Sequence, residues 1–151
     1  MDITVRKAQL QDIPAILEMN AELNGPGVNA THESMADSLE NNKNEIVFVA
    51  LHDGKAVGFA CGLMYLSICY SNGMQGELTE LYVSSEYRRN GVATKLVEHM
   101  ERVFAKNNVH EITLKTGIKN EQAHRFYESC GYKLRRYVYI KDMLNGNGEK
   151  I

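Results

Sequence analysis

The stretch YVSSEYRRNGVATKL, residues 82–96, places two arginines, Arg88 and Arg89, and a glycine, Gly91, where a predicted strand gives way to a predicted helix. The N-terminus of a helix leaves backbone N–H groups without intrahelical partners, and the helix macrodipole adds roughly half a positive charge there. Gly91 has no Cβ, so a ligand can approach the backbone closely. The turn therefore suits an anion such as a phosphate or pyrophosphate, although an ordinary solvated turn also explains the same residues.

Neither of the two common nucleotide-binding patterns occurs in this turn. A P-loop needs G-x-x-x-x-G-K-[ST], and a dinucleotide-binding turn needs G-x-G-x-x-G. The turn has a single glycine, which Val92 follows directly. Nucleoside triphosphates and nicotinamide cofactors are therefore not favoured.

The composition is that of an ordinary globular protein, with 151 residues of which 44% are hydrophobic and 24% charged. A chain of this length fits one domain. No apolar run approaches the roughly 20 residues of a transmembrane helix, and the N-terminus lacks the apolar segment of a signal peptide. Three cysteines without a C-x-x-C pair are typical of reduced thiols. We therefore expect a cytoplasmic protein that does not bind membranes.

The distribution of charge is more informative than the formal net charge of −2, which gives no basic footprint for nucleic-acid binding. The five histidines have no His or Cys partner at metal-ligand spacing, so no metal site is expected. The segment from Ile13 to Ala50 contains six acidic residues and one basic residue, whereas the rest of the chain contains 16 basic and 13 acidic residues. A solvated acidic helix surface explains this asymmetry, and a pocket for a cationic molecule explains it as well.

The predicted elements follow the order βαα–βββ–αβαβ, which describes one mixed α/β domain over residues 1–143. The first strand is predicted at Ile3–Arg6, and Asp12 is predicted to cap a helix with Pro14 in its first turn. Thr31 is predicted to cap a second helix at about His32–Asn41. The pair Asp53-Gly54 between two β-rich runs predicts a type I′ hairpin.

The second half of the chain is predicted to begin with a strongly amphipathic helix after Gly91. Its apolar stripe consists of Val92, Leu96, Val97, Met100, Val103 and Phe104. Residues 110–116 are predicted as a strand, residues 120–131 as a short helix, and YKLRRYVYIKDM, residues 132–143, as one bent strand or two. The polar tail, residues 144–151, is predicted to be disordered.

Two sequence patterns identify a family resemblance. The pattern [QR]-x-x-G-x-[GA] is matched by Arg88, Gly91 and Ala93. The pattern N-x-x-A-x-x-x-Y-x-x-x-G-[FY] is matched by Asn120, Ala123, Tyr127, Gly131 and Tyr132. With ELTELYV at residues 77–83 and VRKAQLQDIPAILEM at residues 5–19, they make the sequence resemble the acetyl-CoA-dependent N-acetyltransferase (GNAT) superfamily from Ile3 to about Met143.

The resemblance implies a fold and a cofactor site. The fold is a central mixed, mostly antiparallel sheet flanked by about four helices, in which a bulged fourth strand diverges from the fifth. Acetyl-CoA lies in that gap without a metal. Main-chain contacts are implied from Leu81, Tyr82 and Val83, whose side chains can also be plain core. Pyrophosphate contacts are implied from Arg88, Arg89, Asn90, Gly91, Val92, Ala93 and Thr94. Asn120 would cap its helix, and it would reach the cofactor amides if its role goes beyond capping.

The resemblance also implies catalytic roles. Tyr127 would donate a proton or hydrogen bond to the departing CoA thiolate, although it can also be plain core. An alkylammonium has a pKa near 10.4, so only about one molecule in a thousand is nucleophilic at neutral pH, and a carboxylate has to remove its proton. Glu77 ranks first for this role and Glu80 second, although either can instead be a surface charge. The two lie on opposite faces of an unbroken strand, and a bulge near Thr79 would shift that parity.

The acceptor is less closely specified. The loops Asn24–Thr31 and Tyr70–Gly76 and the C-terminal strands are expected to form its walls, with the acidic segment beside it, which favours a cationic small-molecule amine. The fourth strand looks most like the aminoglycoside 6′-acetyltransferase branch, and a polyamine, a protein N-terminus or a lysine is an alternative.

A binding module that senses acetyl-CoA without turnover is the rival class. Direct attack without a covalent intermediate is expected, with Cys130 as a structural thiol, and a homodimer is one expectation from the superfamily.

Overall fold

Runs of β-branched and aromatic residues form a five-stranded sheet in the structure, a computed structural model that describes residues 1–25, 27, 29–69 and 73–144. The strands are β1 (Thr4–Lys7), β2 (Glu45–His52), β3 (Lys55–Tyr65), β4 (Met74–Val83) and β5 (Val109–Leu114), in that spatial order. The first four pair antiparallel, and β5 runs parallel to β4. The helices are α1 (Ile13–Asn24), α2 (His32–Asn41), α3 (Val92–Lys106) and α4 (Glu121–Ser129). The predicted mixed, mostly antiparallel sheet with four helices is therefore confirmed.

The chain divides into two compact units, residues 1–114 and 115–151. The first unit holds the whole sheet with α1, α2 and α3, and the second unit holds α4. No described helix is long and apolar enough to cross a membrane.

Helix α3 covers one face of the sheet. Its predicted apolar stripe is confirmed for Val92, Leu96, Val97, Met100 and Phe104, which are all buried, whereas Val103 is only half-buried. Burying each such side chain stabilises the fold by roughly 1.5–3 kcal/mol relative to leaving it exposed. A Cβ on Gly62 would lie 2.5 Å from the Met100 sulfur, so glycine in β3 permits this close approach.

Helix α1 covers the opposite face. Ile16 and Met19 from this helix form a buried cluster with Val49, Phe59 and Tyr82 of the sheet. Glu45, Cys61 and Glu80 are strand residues of this same face, which we call the α1 face.

Two local predictions from the sequence are confirmed, one at a hairpin turn and one at the start of a helix. Asp53 and Gly54 both have positive φ, 48° and 77°, as a type I′ turn requires between β2 and β3. The Thr31 hydroxyl accepts a hydrogen bond from the Ser34 N–H at 3.1 Å and so caps α2 as predicted.

The start of α1 differs from prediction in its chemistry. Asp12 occupies the N-cap position of α1, but its carboxylate accepts no hydrogen bond from the first N–H groups of that helix. It instead accepts hydrogen bonds from both terminal nitrogens of Arg6, at 2.7 and 3.0 Å, and from the backbone N–H of Gln9. A bidentate charged partner is stronger than a helix N–H. Strand β1 likewise begins at Thr4, one residue later than predicted.

The prediction of one bent strand or two over residues 132–143 is wrong. Residues 132–143 form no helix or strand, and most of their large apolar side chains are exposed. A β-prone sequence becomes a strand only when its N–H and C=O groups find a partner edge, and the sheet ends at β5 in the part of the chain that the structure describes. Of the predicted disordered tail, residues 145–151 lie outside the described residues.

Candidate active site

The pairing between the two central strands of the candidate site, β4 and β5, ends at Leu78. Strand β5 pairs with β4 from Met74 to Leu78 and ends at Leu114, the partner of Leu78. Strand β4 continues for five residues, Thr79–Val83, past that point. On the side away from β3, their backbone groups face no strand among the described residues, so a ligand with amide groups can pair with this edge.

A bulge in β4 sets the direction of its side chains. Cys61 of β3 pairs with Glu80, while the next residue, Gly62, pairs with Leu78, so Thr79 is an extra residue in β4. Because one inserted residue reverses the alternation, Glu77 and Glu80 lie on the same face of the sheet. The expected bulge is thus present, and it places both candidate bases on the α1 face.

The carboxylate of Glu45, in β2, lies on the same face as those of Glu77 and Glu80. Leu63 of β3 pairs with Glu45 on one side and with Glu77 on the other. Removal of the Cys61 thiol from water, together with the charges of Glu45 and Glu80, raises the pKa of this cysteine. Its thiol therefore stays protonated at neutral pH.

Tyr82 has a side-chain contact that no sequence pattern indicated. Its hydroxyl donates a hydrogen bond to the carboxylate of Glu22 at the end of α1. Burial and then the Glu22 carboxylate raise the pKa of Tyr82, and Arg88 opposes that rise. The two partners are 60 residues apart in the chain, so only the packing of α1 on the sheet could reveal them.

Arg88 lies between this tyrosine and the turn that precedes α3. Its guanidinium carbon is 5.6 Å from the centre of the Tyr82 ring, and its Nε donates a hydrogen bond to the Val83 carbonyl at 2.9 Å. The Asn90 amide donates to the Arg88 carbonyl at 2.9 Å. The side chain that matches the phosphate pattern is thus held at the end of the unpaired β4 edge.

The turn itself presents the start of α3 to solvent. Arg89 and Gly91 have positive φ, 64° and 75°. Gly91 is the N-cap residue of α3, and it has no side chain to accept hydrogen bonds from the first helical N–H groups. Of the other predicted phosphate contacts, Arg89, Asn90 and Thr94 are exposed, Ala93 is half-buried and Val92 is buried. Val92 can therefore contribute its backbone while its side chain packs in the core.

In the second unit, the predicted motif residues lie at the start of α4 and along it. The Asn120 side-chain oxygen accepts a hydrogen bond from the Ala123 N–H at 3.1 Å, which confirms the predicted cap. The Tyr127 ring makes edge contacts with Phe126 and Tyr132, with centroids 5.2 and 5.9 Å apart. Tyr127 is half-buried, and its carbonyl accepts from the Tyr132 N–H at 3.0 Å.

Parts of the predicted acceptor walls lie outside the described residues, namely Pro26, Val28 and Tyr70–Asn72. The roles of both loops stay predictions. Within the described residues, no group of three His, Cys, Asp or Glu side chains could hold a metal ion.

Comparison with known proteins gives consistent matches. The model of the acetyltransferase (GNAT) family matches residues 14–132. The chain is 31% identical to N-alpha-acetyltransferase 30 of Schizosaccharomyces pombe over 102 residues, which cover 68% of this chain and 66% of that protein. It is 30% identical to an N-alpha-acetyltransferase of Saccharolobus solfataricus, over 87% of this chain and 81% of that protein. The chain thus spans just under two thirds of the length of the first of these relatives.

Among solved structures, the chain is similar to an aminoglycoside N-acetyltransferase, AAC(6')-Iy, in complex with CoA. The TM-score is 0.81, the identity is 19%, and the match covers 93% of this chain and 95% of that one. Likeness at this identity shows the fold alone, and it agrees with the fold class predicted from the sequence.

Proposed function

Because the chain belongs to the acetyltransferase (GNAT) family, we propose that it transfers the acetyl group of acetyl-CoA to a primary amine. The observation that carries this proposal is the edge of β4 at Thr79–Val83, which faces no strand within the described residues and leads into the arginine-rich turn and the open N-terminus of α3. An extended amide chain with a pyrophosphate at one end matches that arrangement in shape and charge.

Acetyl-CoA would bind mainly through backbone groups. The amides of its pantetheine arm would pair with Leu81–Val83, in the manner of an added strand. Its pyrophosphate would accept hydrogen bonds from the first N–H groups of α3, with Arg88 and Arg89 supplying charge. Asn120 is a further proposed contact for the cofactor amides. No metal is needed, because the helix terminus and the arginines supply the positive charge.

The acceptor amine has to lose a proton before it attacks the thioester. Glu77 is proposed as the general base that removes this proton directly or through water, with Glu80 as the second candidate. Both carboxylates lie on the α1 face of β4 because of the bulge at Thr79. As the amine nitrogen forms its bond to the acetyl carbon, the bond from that carbon to sulfur breaks and the CoA thiolate departs. Tyr127 is proposed to protonate this thiolate, since a phenol can donate a proton while neutral at pH 7.

The proposed acceptor is a cationic small molecule of the aminoglycoside or polyamine type. Three strand carboxylates, Glu45, Glu77 and Glu80, share one sheet face, and the carboxylate of Glu22 meets the same face through Tyr82. Such a concentration of negative charge raises the local concentration of a cation. A peptide N-terminus is the second candidate, because the two relatives described above are named N-alpha-acetyltransferases.

The test is release of CoA thiol from acetyl-CoA with a panel of aminoglycosides, polyamines, amino acids and short peptides with free N-termini. Turnover with the cationic small molecules supports the proposed acceptor, and turnover with peptides alone moves the assignment to protein N-termini. Binding of acetyl-CoA without turnover of any amine would favour an acetyl-CoA sensor. A chain that neither binds acetyl-CoA nor releases thiol would contradict the proposed function.

A further inference from the structure

Tyr82 contacts two charged side chains of opposite sign. Its hydroxyl donates a hydrogen bond to the Oε2 atom of Glu22, and the guanidinium carbon of Arg88 lies over its ring, 5.6 Å from the ring centre. All three residues belong to the first compact unit, residues 1–114. The arrangement therefore follows from the packing of α1 and of the turn before α3 against β4.

The core of that unit holds the tyrosine ring. Tyr82 is only 7% exposed and belongs to the buried cluster that includes Ile16 and Met19 of α1. The Phe59 ring lies beside it, with ring centroids 6.3 Å apart. Because protein interiors are close-packed, a ring in such surroundings has little freedom to move. Its hydroxyl and its face can therefore orient the two charged side chains.

The hydrogen bond orients a carboxylate that would otherwise be mobile. Glu22 lies in the last turn of α1 and is exposed, and a free glutamate side chain samples many rotamers. The Tyr82 hydroxyl holds Oε2, whereas Oε1 accepts no hydrogen bond from any residue that the structure describes. One oxygen of an oriented carboxylate is thus open to a cation.

Tyr82 lies on the same face of β4 as the two candidate bases. It follows Glu80 by two residues, so strand alternation places both side chains on the α1 face. Glu77 lies five positions before Tyr82, roughly 15 Å along the strand at about 3.3 Å per residue. Glu22 is therefore expected to contact a cationic group other than the amine that reacts beside Glu77.

Arg88 is oriented by two contacts. A cation within about 6 Å of the centre of an aromatic ring is attracted by the ring, and the Arg88 Nε donates a hydrogen bond to the Val83 carbonyl at 2.9 Å. Arg88 is the first residue of the phosphate pattern. A guanidinium that is already oriented loses less freedom when it binds a phosphate.

We propose that Tyr82 is a positioning residue for both substrates: its hydroxyl orients Glu22 to bind a second cationic group of the acceptor, and its ring orients Arg88 to bind the pyrophosphate of acetyl-CoA. The inference rests on the proposed acetyl transfer, and it narrows the acceptor to an amine with at least two cationic groups. Tyr82 itself takes no part in proton transfer, so its effect is on binding and not on the chemical step. The two roles are separable, because phenylalanine keeps the ring without the hydroxyl and leucine removes both.

Steady-state kinetics with a polyamine or aminoglycoside acceptor tests the role of the hydroxyl. Tyr82→Phe is expected to raise the KM of such an acceptor roughly three- to tenfold, because Glu22 then has to be ordered on binding, and to leave kcat unchanged. Glu22→Gln should raise KM at least as much, and adding Tyr82→Phe to it should have no further effect. Glu18→Gln is the matched control, since Glu18 is an exposed carboxylate one turn earlier in α1. It should keep the wild-type KM.

Calorimetric titration with acetyl-CoA tests the role of the ring. Tyr82→Leu is expected to raise the dissociation constant of acetyl-CoA roughly three- to tenfold, whereas Tyr82→Phe should bind it like the wild type. Phe48→Leu is the matched control, because it also removes a buried ring, 5% exposed, from the sheet. It should keep the wild-type affinity. Equal circular dichroism confirms that the variants fold.

Each role can fail separately from the proposed function. If the wild type is active, an unchanged KM in Tyr82→Phe or additive effects of Tyr82→Phe and Glu22→Gln would overturn the role of the hydroxyl. Wild-type affinity for acetyl-CoA in Tyr82→Leu would overturn the role of the ring. Turnover of singly charged amines alone would overturn the narrowed acceptor class and leave acetyl transfer standing. A wild type that neither binds acetyl-CoA nor acetylates any amine would overturn the proposed function itself.

Discussion

At the scale of single residues, side chains on the α1 face of β4 make contacts that the strand sequence does not indicate. Tyr82 was expected to contribute backbone contacts, and its side chain also donates to Glu22 while its ring lies against Arg88. Glu77 and Glu80 lie on the same face as this tyrosine. Tyr82 therefore contacts Glu22, which lies near the proposed acceptor site, and Arg88, which is a proposed pyrophosphate contact.

The choice between the two candidate bases is tested by Glu77→Gln and Glu80→Gln. Loss of a general base should lower kcat by roughly a hundredfold or more and remove the acidic limb of the pH profile, because the amide has no proton to lose. We expect the larger loss for Glu77→Gln. Steady-state kinetics against pH decides between them, with Glu98→Gln on the exposed surface of α3 as the control. Full turnover in both variants would mean that the amine loses its proton without either carboxylate.

Tyr127→Phe tests the proposed general acid. Turnover is expected to fall by roughly a hundredfold while the dissociation constant of acetyl-CoA changes little, since the thiolate leaves only in the chemical step. Tyr139→Phe removes the same hydroxyl from a side chain that is 95% exposed and should have no effect. Equal losses of turnover and cofactor affinity would assign Tyr127 to binding instead of proton donation.

At the scale of elements, Gly91 joins β4 to α3 in a conformation that other residues adopt at a cost. Its φ is +75°, and a Cβ built there meets no atom within 4 Å, so Gly91→Ala introduces strain and no clash. The free energy of unfolding should fall by about 1 kcal/mol. Acetyl-CoA should also bind more weakly, because the methyl group stands where the pyrophosphate approaches.

Gly54→Ala is the control matched for strain, since Gly54 has φ +77° and equally open surroundings at the hairpin between β2 and β3. It should lose a similar amount of stability in urea denaturation and keep its affinity for acetyl-CoA. Equal affinities in the two variants would remove the turn from the proposed cofactor site.

The junction of β1 and α1 should make stability depend on pH. Although burial disfavours the charged carboxylate, the hydrogen bonds from Arg6 and from the Gln9 N–H lower the pKa of Asp12 below its ordinary value. The ion pair therefore stabilises the fold fully above the ordinary pKa of aspartate, about 3.9, and less as pH falls through the lower folded value. Denaturation from pH 6 to pH 2 should show a smaller loss of stability for Asp12→Asn than for the wild type. Asp2→Asn, an exposed control, should follow the wild type.

At the scale of the whole molecule, binding of acetyl-CoA should stabilise the folded chain. A ligand at about 100 times its dissociation constant adds about 2.7 kcal/mol to the free energy of unfolding. Thermal denaturation with acetyl-CoA measures this, and a short acetyl thioester without the pyrophosphate should give little stabilisation at the same concentration. If acetyl-CoA produces no shift, both the enzyme and the sensor interpretations fail.

The sequence by itself determined the features that depend on neighbours a few residues apart. The type I′ turn at Asp53-Gly54, the caps at Thr31 and Asn120, and the buried stripe of α3 all follow from local spacing and backbone preference. The motifs around Gly91 and Tyr127 were enough to predict the family and the mixed sheet.

Tertiary structure alone decided where distant residues meet. The pairing of β3 with β4 located the bulge at Thr79 and so placed Glu77 and Glu80 on one face, and the packing of α1 brought Glu22 to Tyr82. The carboxylate of Asp12 turned from its helix to Arg6 for the same reason, because a partner outside the helix binds it more strongly. Residues 132–143 have the sequence of a strand and are not one here, since a strand exists only where another strand completes its hydrogen bonds.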